Sequence, residues 1–245
     1  MKCANRTAVV TGAAVGIGRA VAHKLAMEGA NVVILDYNPE TLEKTRVELE
    51  AYTQNVLALV CDVSDEAAVN EMFARAKARF GKIDILINNA GIWRCWAPFM
   101  ETSVEDWKRY LDINVMGTVY CTRAVLPDML EAGYGRIVNV ASVAGVYGNA
   151  KMVHYSATKG ALISMTRALA KEVSDKGVLV NCVSPGSVSS SEHDDPNYTS
   201  PSELSFMGRT GSTMENANLI CFLAGDEAAY IAGQNIQIDG CRKKQ

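Results

Sequence analysis

The sequence lacks any pattern that would hold a metal or a disulfide framework. Its seven cysteines stand singly, none in a C-x-x-C pair, and there are three histidines. A zinc site is therefore not expected. Cys61 and Cys182 sit inside apolar runs, where cysteine behaves as a small hydrophobe, and the expectation is reduced thiols in a cytoplasmic protein. A basic face is also missing. The formal net charge is −3, and the one basic run, Arg242-Lys243-Lys244, reads as a solvated tail, so no nucleic-acid partner is expected. No apolar run reaches membrane-spanning length, and residues 1–6 enter a short apolar stretch without the features of a signal peptide. No membrane partner is expected. No linker rich in Pro, Gly or Ser divides the chain, so residues 1–245 are read as a single domain.

What is present is an alternation of short β-branched runs and longer amphipathic ones. Strands are predicted at 7–10, 31–35, 56–60, 83–87, 136–140, 178–183 and 235–238. Helices are predicted at 17–28, 39–52, from an N-cap at Ser64 to about Phe80, at 104–132, 152–176 and 212–224. Pro39 suits a first helical turn, whereas Pro127 predicts a kink or break within 104–132. The strands are almost continuously apolar, as strands buried on both faces must be. The fold class that follows is α/β: a Rossmann-type, doubly wound parallel sheet with helices on both faces.

Two features address a dinucleotide. Thr11-Gly12-Ala13-Ala14-Val15-Gly16-Ile17-Gly18 joins the first strand to the first helix. Glycines there permit a tight turn and close backbone approach, and the helix N-terminus offers free N–H groups to a pyrophosphate. Gly12, Gly16, Ile17 and Gly18 are thus candidate cofactor contacts. Asp36 ends the second strand, where a carboxylate can accept both adenosine ribose hydroxyls and repel a 2′-phosphate. With no basic residue at 13–15 and a neutral Tyr37, the expected cofactor is NAD rather than NADP.

With Tyr155-Ser156-Ala157-Thr158-Lys159 preceded by Ser142, the sequence resembles the short-chain dehydrogenase/reductase family. The likeness runs through the glycine loop, Asp62-Val63, Asn88-Asn89-Ala90-Gly91, Asn114, Pro185-Gly186, Gly208-Arg209 and Asp239-Gly240. It implies an oxidoreductase that moves a hydride between NAD(H) and a secondary alcohol or ketone. Tyr155 would be the acid/base, Ser142 the partner of the substrate oxygen, Lys159 the tuning ammonium and Asn114 the support of a water-linked relay. Tyr155 and Lys159 lie four apart, so on a helix they share a face. An ammonium close to the phenol is expected to lower its pKa from near 10. Asp62 and Val63 would sit by the adenine and Asn89 beside the cofactor. Lys159 would meet the nicotinamide ribose, with Tyr155 nearby, and Pro185, Gly186 and Val188 would pass the nicotinamide.

The substrate side departs most from the family. Residues 187–211 form the expected substrate loop, and 189–196 is polar and acidic; Ser190 stands where the family often has Thr. Trp93, Arg94 and Trp96 follow the Asn-Asn-Ala-Gly turn and are candidate substrate contacts beside Ser142 and Tyr155, the aromatics as an apolar wall and Arg94 for an anionic group. His23, His154 and His193 are assigned no role. Candidate substrates are a hydroxysteroid or bile acid, a sugar or polyol, and a 3-oxoacyl compound. The alternative is a non-catalytic NAD(H)-binding sensor or scaffold. The resemblance further implies a homo-oligomer, usually a tetramer.

Overall fold

A computed structural model describes residues 3–189 and 194–243. Ser190, Ser191, Glu192, His193 and Lys244 lie outside the described residues. Seven parallel strands form one sheet in the order β3-β2-β1-β4-β5-β6-β7. They are β1 (Thr7–Thr11), β2 (Asn31–Asp36), β3 (Val56–Val60), β4 (Ile85–Asn88), β5 (Gly135–Val140), β6 (Val178–Pro185) and β7 (Asn235–Ile238). The helices are α1 (Gly16–Met27), α2 (Pro39–Leu49), α3 (Glu66–Phe80), α4 (Val104–Leu111), α5 (Gly117–Ala132), α6 (Ala144–Tyr147), α7 (Val153–Val173) and α8 (Thr213–Ala224). Successive strand residues point to opposite faces, which gives each strand two apolar sides. Ile34, Ile85, Val138 and Val183 pack with Leu25 of α1 and Leu223 of α8. Val33, Leu86, Ile137 and Val180 pack with Phe73 of α3, Val125 of α5 and Val173 of α7. The strand order reverses between β1 and β4, so a crevice opens at the carboxyl ends of those two strands.

Three local expectations are corrected. Asp65, not Ser64, caps α3, because its carboxylate accepts the amides of Ala67 and Ala68. The span 104–132 is interrupted at Asp112–Met116, where one π-helical turn separates α4 from α5. Pro127 lies within an unbroken α5. Both Pro127 and Arg123, whose carbonyl loses its partner, are exposed, so water can satisfy that carbonyl and no break is required.

Candidate active site

The glycine turn at the β1–α1 junction is built almost entirely from backbone. Gly12 and Gly16 both adopt φ +61°. A Cβ on Gly18 would stand 2.2 Å from the Gly12 carbonyl oxygen, so only glycine fits. Asn89 fastens the turn from β4: its Nδ2 donates to the Thr11 oxygen at 3.0 Å and the Gly12 oxygen at 2.9 Å. Thr11 Oγ1 accepts in return from the amides of Asn89 and Ala90, each at 3.0 Å. The α1 N-terminus has no side-chain cap and no acidic residue in its first turn. Its amides are free to face an anion, and the residues present therefore fit a dinucleotide pyrophosphate.

Asp36 is buried, and its orientation is fixed by two amides. Oδ2 accepts from Ala14 N–H and Oδ1 from Asn38 N–H, both at 3.1 Å. Farther along this wall, Asp62 accepts the amide and hydroxyl of Ser64, while Val63 is buried where it leaves no room for a Cβ on Gly117. At the β6 end, the Val143 amide donates to the Pro185 carbonyl at 3.0 Å, the Gly186 amide to Ile238, and Val188 bridges to Gly211. Ser142 and the 185–188 segment are thereby held side by side.

The four residues of the catalytic expectation converge between β4, β5 and α7. Asn114 is buried in the π-helical turn. Its Oδ1 accepts from Ile92 N–H at 2.8 Å, and its Nδ2 donates to the Ile92 carbonyl and to Thr158 Oγ1. Thr158 donates to the Tyr155 carbonyl at 2.8 Å. The ideal Cβ position on Gly91 lies 3.2 Å from Asn114 Oδ1 and 3.3 Å from Lys159 Nζ, so these two groups line one narrow space. Both Asn114 amide hydrogens serve the scaffold, and its main-chain carbonyl accepts from Thr118 Oγ1 at 3.3 Å.

Lys159 Nζ donates to the Val140 carbonyl at 2.7 Å and stands 5.9 Å from the Tyr155 ring centre. Burial lowers its pKa to about 8. Tyr155 corrects the sequence expectation. Burial raises its pKa, the Ser142 hydroxyl hydrogen-bonded to it opposes that rise, and the Tyr110 phenol adds to it. Desolvation acts on both members of the Tyr155–Lys159 pair and disfavours their charged forms together.

Trp93 and Trp96 are 53% and 63% exposed, with Arg94 over the Trp93 ring at 5.9 Å. They stand at the surface rather than packed into the catalytic cluster. Residues 194–211 are folded: Pro201 bridges to Arg209, Ser205 to Arg242, and Ser189 Oγ meets Thr210 Oγ1 at 2.6 Å. His23 is partly buried against Glu48 at 3.1 Å. His154 is fully buried, packs edge-on against Tyr110 at 4.2 Å, and has neither ring nitrogen hydrogen-bonded. Sequence reasoning missed Thr11, Thr158 and Tyr110. The i, i+4 spacing of Tyr110 and Asn114 was the available signal for the last.

This arrangement can move a proton through a hydroxyl pair next to a cleft shaped for a dinucleotide. Residues 6–199 match the family described as short chain dehydrogenase. The chain belongs to the short-chain dehydrogenase family. It is 40% identical over 245 residues to a 2-dehydro-3-deoxy-L-rhamnonate dehydrogenase (NAD(+)) of Sphingomonas sp. (strain SKA58), covering 98% of this chain and 96% of that one. It is 37% identical to a 3-oxoacyl-[acyl-carrier-protein] reductase of Thermotoga maritima, with 98% of each chain covered. A solved structure of NAD+-bound xylitol dehydrogenase superposes with a TM-score of 0.90 at 33% identity, covering 98% of this chain and 100% of the other. The chain is accordingly an oxidoreductase of the hydride-transfer class that acts on CH–OH donors.

Proposed function

We propose that this protein interconverts a secondary alcohol and a ketone with NAD(H), using Tyr155 as the acid/base. The observation that carries this reading is the convergence of Ser142 and Tyr155 with the buried Lys159 amine one helical turn on, which donates to the Val140 carbonyl at 2.7 Å and stands 5.9 Å from the Tyr155 ring centre. Bound NAD supplies the hydride acceptor or, as NADH, the donor. The α1 N-terminal amides with Gly12, Gly16, Ile17 and Gly18 would hold its pyrophosphate. Asp36 would hold the adenosine ribose, with Asp62 and Val63 by the adenine. Asn89, Lys159, Tyr155, Pro185, Gly186 and Val188 would line the nicotinamide half. The buried Asp36 carboxylate beside a neutral Tyr37 supports NAD over NADP.

The Tyr155 phenol donates its proton to the substrate oxygen during reduction and recovers it during oxidation. Ser142 O–H donates to the same oxygen and orients it. Lys159 stands behind the phenol, and its loss of solvation makes its charge sensitive to pH near 8. Asn114 holds the 91–92 turn against α7. Burial holds the Tyr155 pKa above its ordinary value, so oxidation should gain with rising pH.

For substrate we favour a small polar secondary alcohol of the polyol or sugar-derived class. The polar composition of 187–211, the proposed substrate loop, supports it, and so do the sugar-acid and xylitol dehydrogenases among the relatives. Residues 1–245 act as one domain, cytoplasmic and homotetrameric. Exposed apolar residues on α4, α7 and α8, including Val104, Leu111, Val153 and Phe222, support assembly, which light scattering would read directly. The deciding experiment follows absorbance at 340 nm with NAD and NADP against xylitol, meso-2,3-butanediol, sugar acids, hydroxysteroids and 3-hydroxyacyl thioesters. Turnover with NAD on one class establishes the enzyme. Tight NADH binding with silence across all classes favours the sensor.

A further inference from the structure

The segment from Ile92 to Ala97 carries the exposed Trp93, Arg94 and Trp96 along one side of the cleft. Among the described residues it is tethered at three points. Asn114 holds both backbone groups of Ile92. The Cys95 amide donates to Tyr110 Oη at 2.9 Å. The Ala97 amide donates to the Lys151 carbonyl at 3.0 Å. Tyr110 and Asn114 are four residues apart, at the junction of α4 and the π-helical turn. Their side chains therefore leave the same face and reach two points three residues apart on the segment. Tyr110 is itself immobilised. It is buried, and its ring meets that of His154 edge-on with centroids 4.2 Å apart and planes at 80°. His154 immediately precedes Tyr155.

We propose that Tyr110 is a positioning residue for the substrate. Its hydroxyl and the Asn114 amide form a two-point clamp that fixes the 92–97 segment beside the proton-transfer pair. Tyr110 reaches the segment through its oxygen and, through its ring, His154, the residue preceding Tyr155, so it links the segment to the start of the helix that carries the proton donor. The unpartnered His154 ring fits this part. It packs edge-on against Tyr110 and tilted against Trp107, and forms the wall behind Tyr110. The proposal rests on the dehydrogenase reading for its kinetic consequence, but not for the clamp.

Tyr110→Phe tests it, since the ring and its packing stay and only the acceptor for Cys95 N–H is lost. Hydrogen exchange at the Cys95 amide should accelerate by about tenfold or more, as expected for one lost hydrogen bond. With whichever of xylitol or meso-2,3-butanediol turns over, the substrate KM should rise by a similar ~tenfold factor while kcat shifts by less than about twofold and NADH affinity holds. Unchanged exchange at Cys95 would overturn the clamp. Faster exchange with unchanged KM, or with kcat, KM and NADH affinity all worsening together, would overturn the substrate role. The exchange measurement needs no turnover, so a wild-type enzyme inert on every alcohol would defeat the dehydrogenase reading and still decide the clamp.

Discussion

On the cofactor wall of the cleft, each contact has a main-chain atom on one side: the side chains of Asp36, Thr11 and Asn89 bond the backbone of Ala14, of Asn89 and Ala90, and of Thr11 and Gly12. On the substrate wall the contacts run through side chains from separate elements: Tyr110 and Asn114 to 92–95, and Arg209 to Glu215 beside 194–211. Backbone geometry leaves a strong mark on sequence, because only glycine tolerates φ +61° or a neighbour at 2.2 Å. Side-chain tethers between distant elements leave little mark, because many residues can supply one acceptor. The glycine turn is thus legible along the chain, and the tethers on 92–95 are not.

The largest expected effect lies between the two walls. Tyr155→Phe should lower kcat on the order of 10²–10⁴-fold, the usual value of one positioned acid/base, with NADH binding unchanged by fluorescence titration. Comparable turnover would place proton transfer elsewhere. Lys159→Met should also cost a large part of turnover, and it should separate chemistry from stability. Burial holds the Lys159 pKa at about 8 against 10.5 ordinarily, so the ammonium opposes folding below pH 8 and this cost is relieved as pH rises from 8 to 10.5. The variant should therefore melt no lower than wild type at pH 7, with its relative advantage shrinking over that interval. A lower melting temperature at pH 7 would mean that the bond to Val140 outweighs the desolvation of the charge.

Asp36→Ala addresses the cofactor wall. It should shift the NAD/NADP ratio of kcat/KM by roughly tenfold or more toward NADP, since a like-charge contact costs several kcal/mol. An unchanged ratio would reduce Asp36 to a brace for the amides of Ala14 and Asn38.

The smallest effect tests the substrate wall. The Arg209 guanidinium and the Ser212 amide lower the Glu215 pKa to about 2 from 4.5. This contribution is present above pH 4.5 and is lost as pH falls toward 2. Arg209→Ala should therefore raise the acid-unfolding midpoint slightly. Both side chains are about a third or more exposed, at 34% and 41%, so solvent screening keeps the change small. A large loss of stability would show that 194–211 is integral to the core.

The alternation of apolar runs with amphipathic ones determined the doubly wound sheet, and the glycine spacing with Asp36 determined the dinucleotide cleft. Both are local patterns, written in residues adjacent along the chain. Tertiary structure decided the π-helical turn that buries Asn114, the use of Asn89 and Thr11 as fasteners, and the Tyr110 contact with Cys95. It also decided the sense of the Tyr155 shift. From sequence the nearby ammonium was expected to lower that pKa. In the folded chain burial strips solvent from both groups, and this desolvation, which depends on everything packed around them, is the leading cause of each shift.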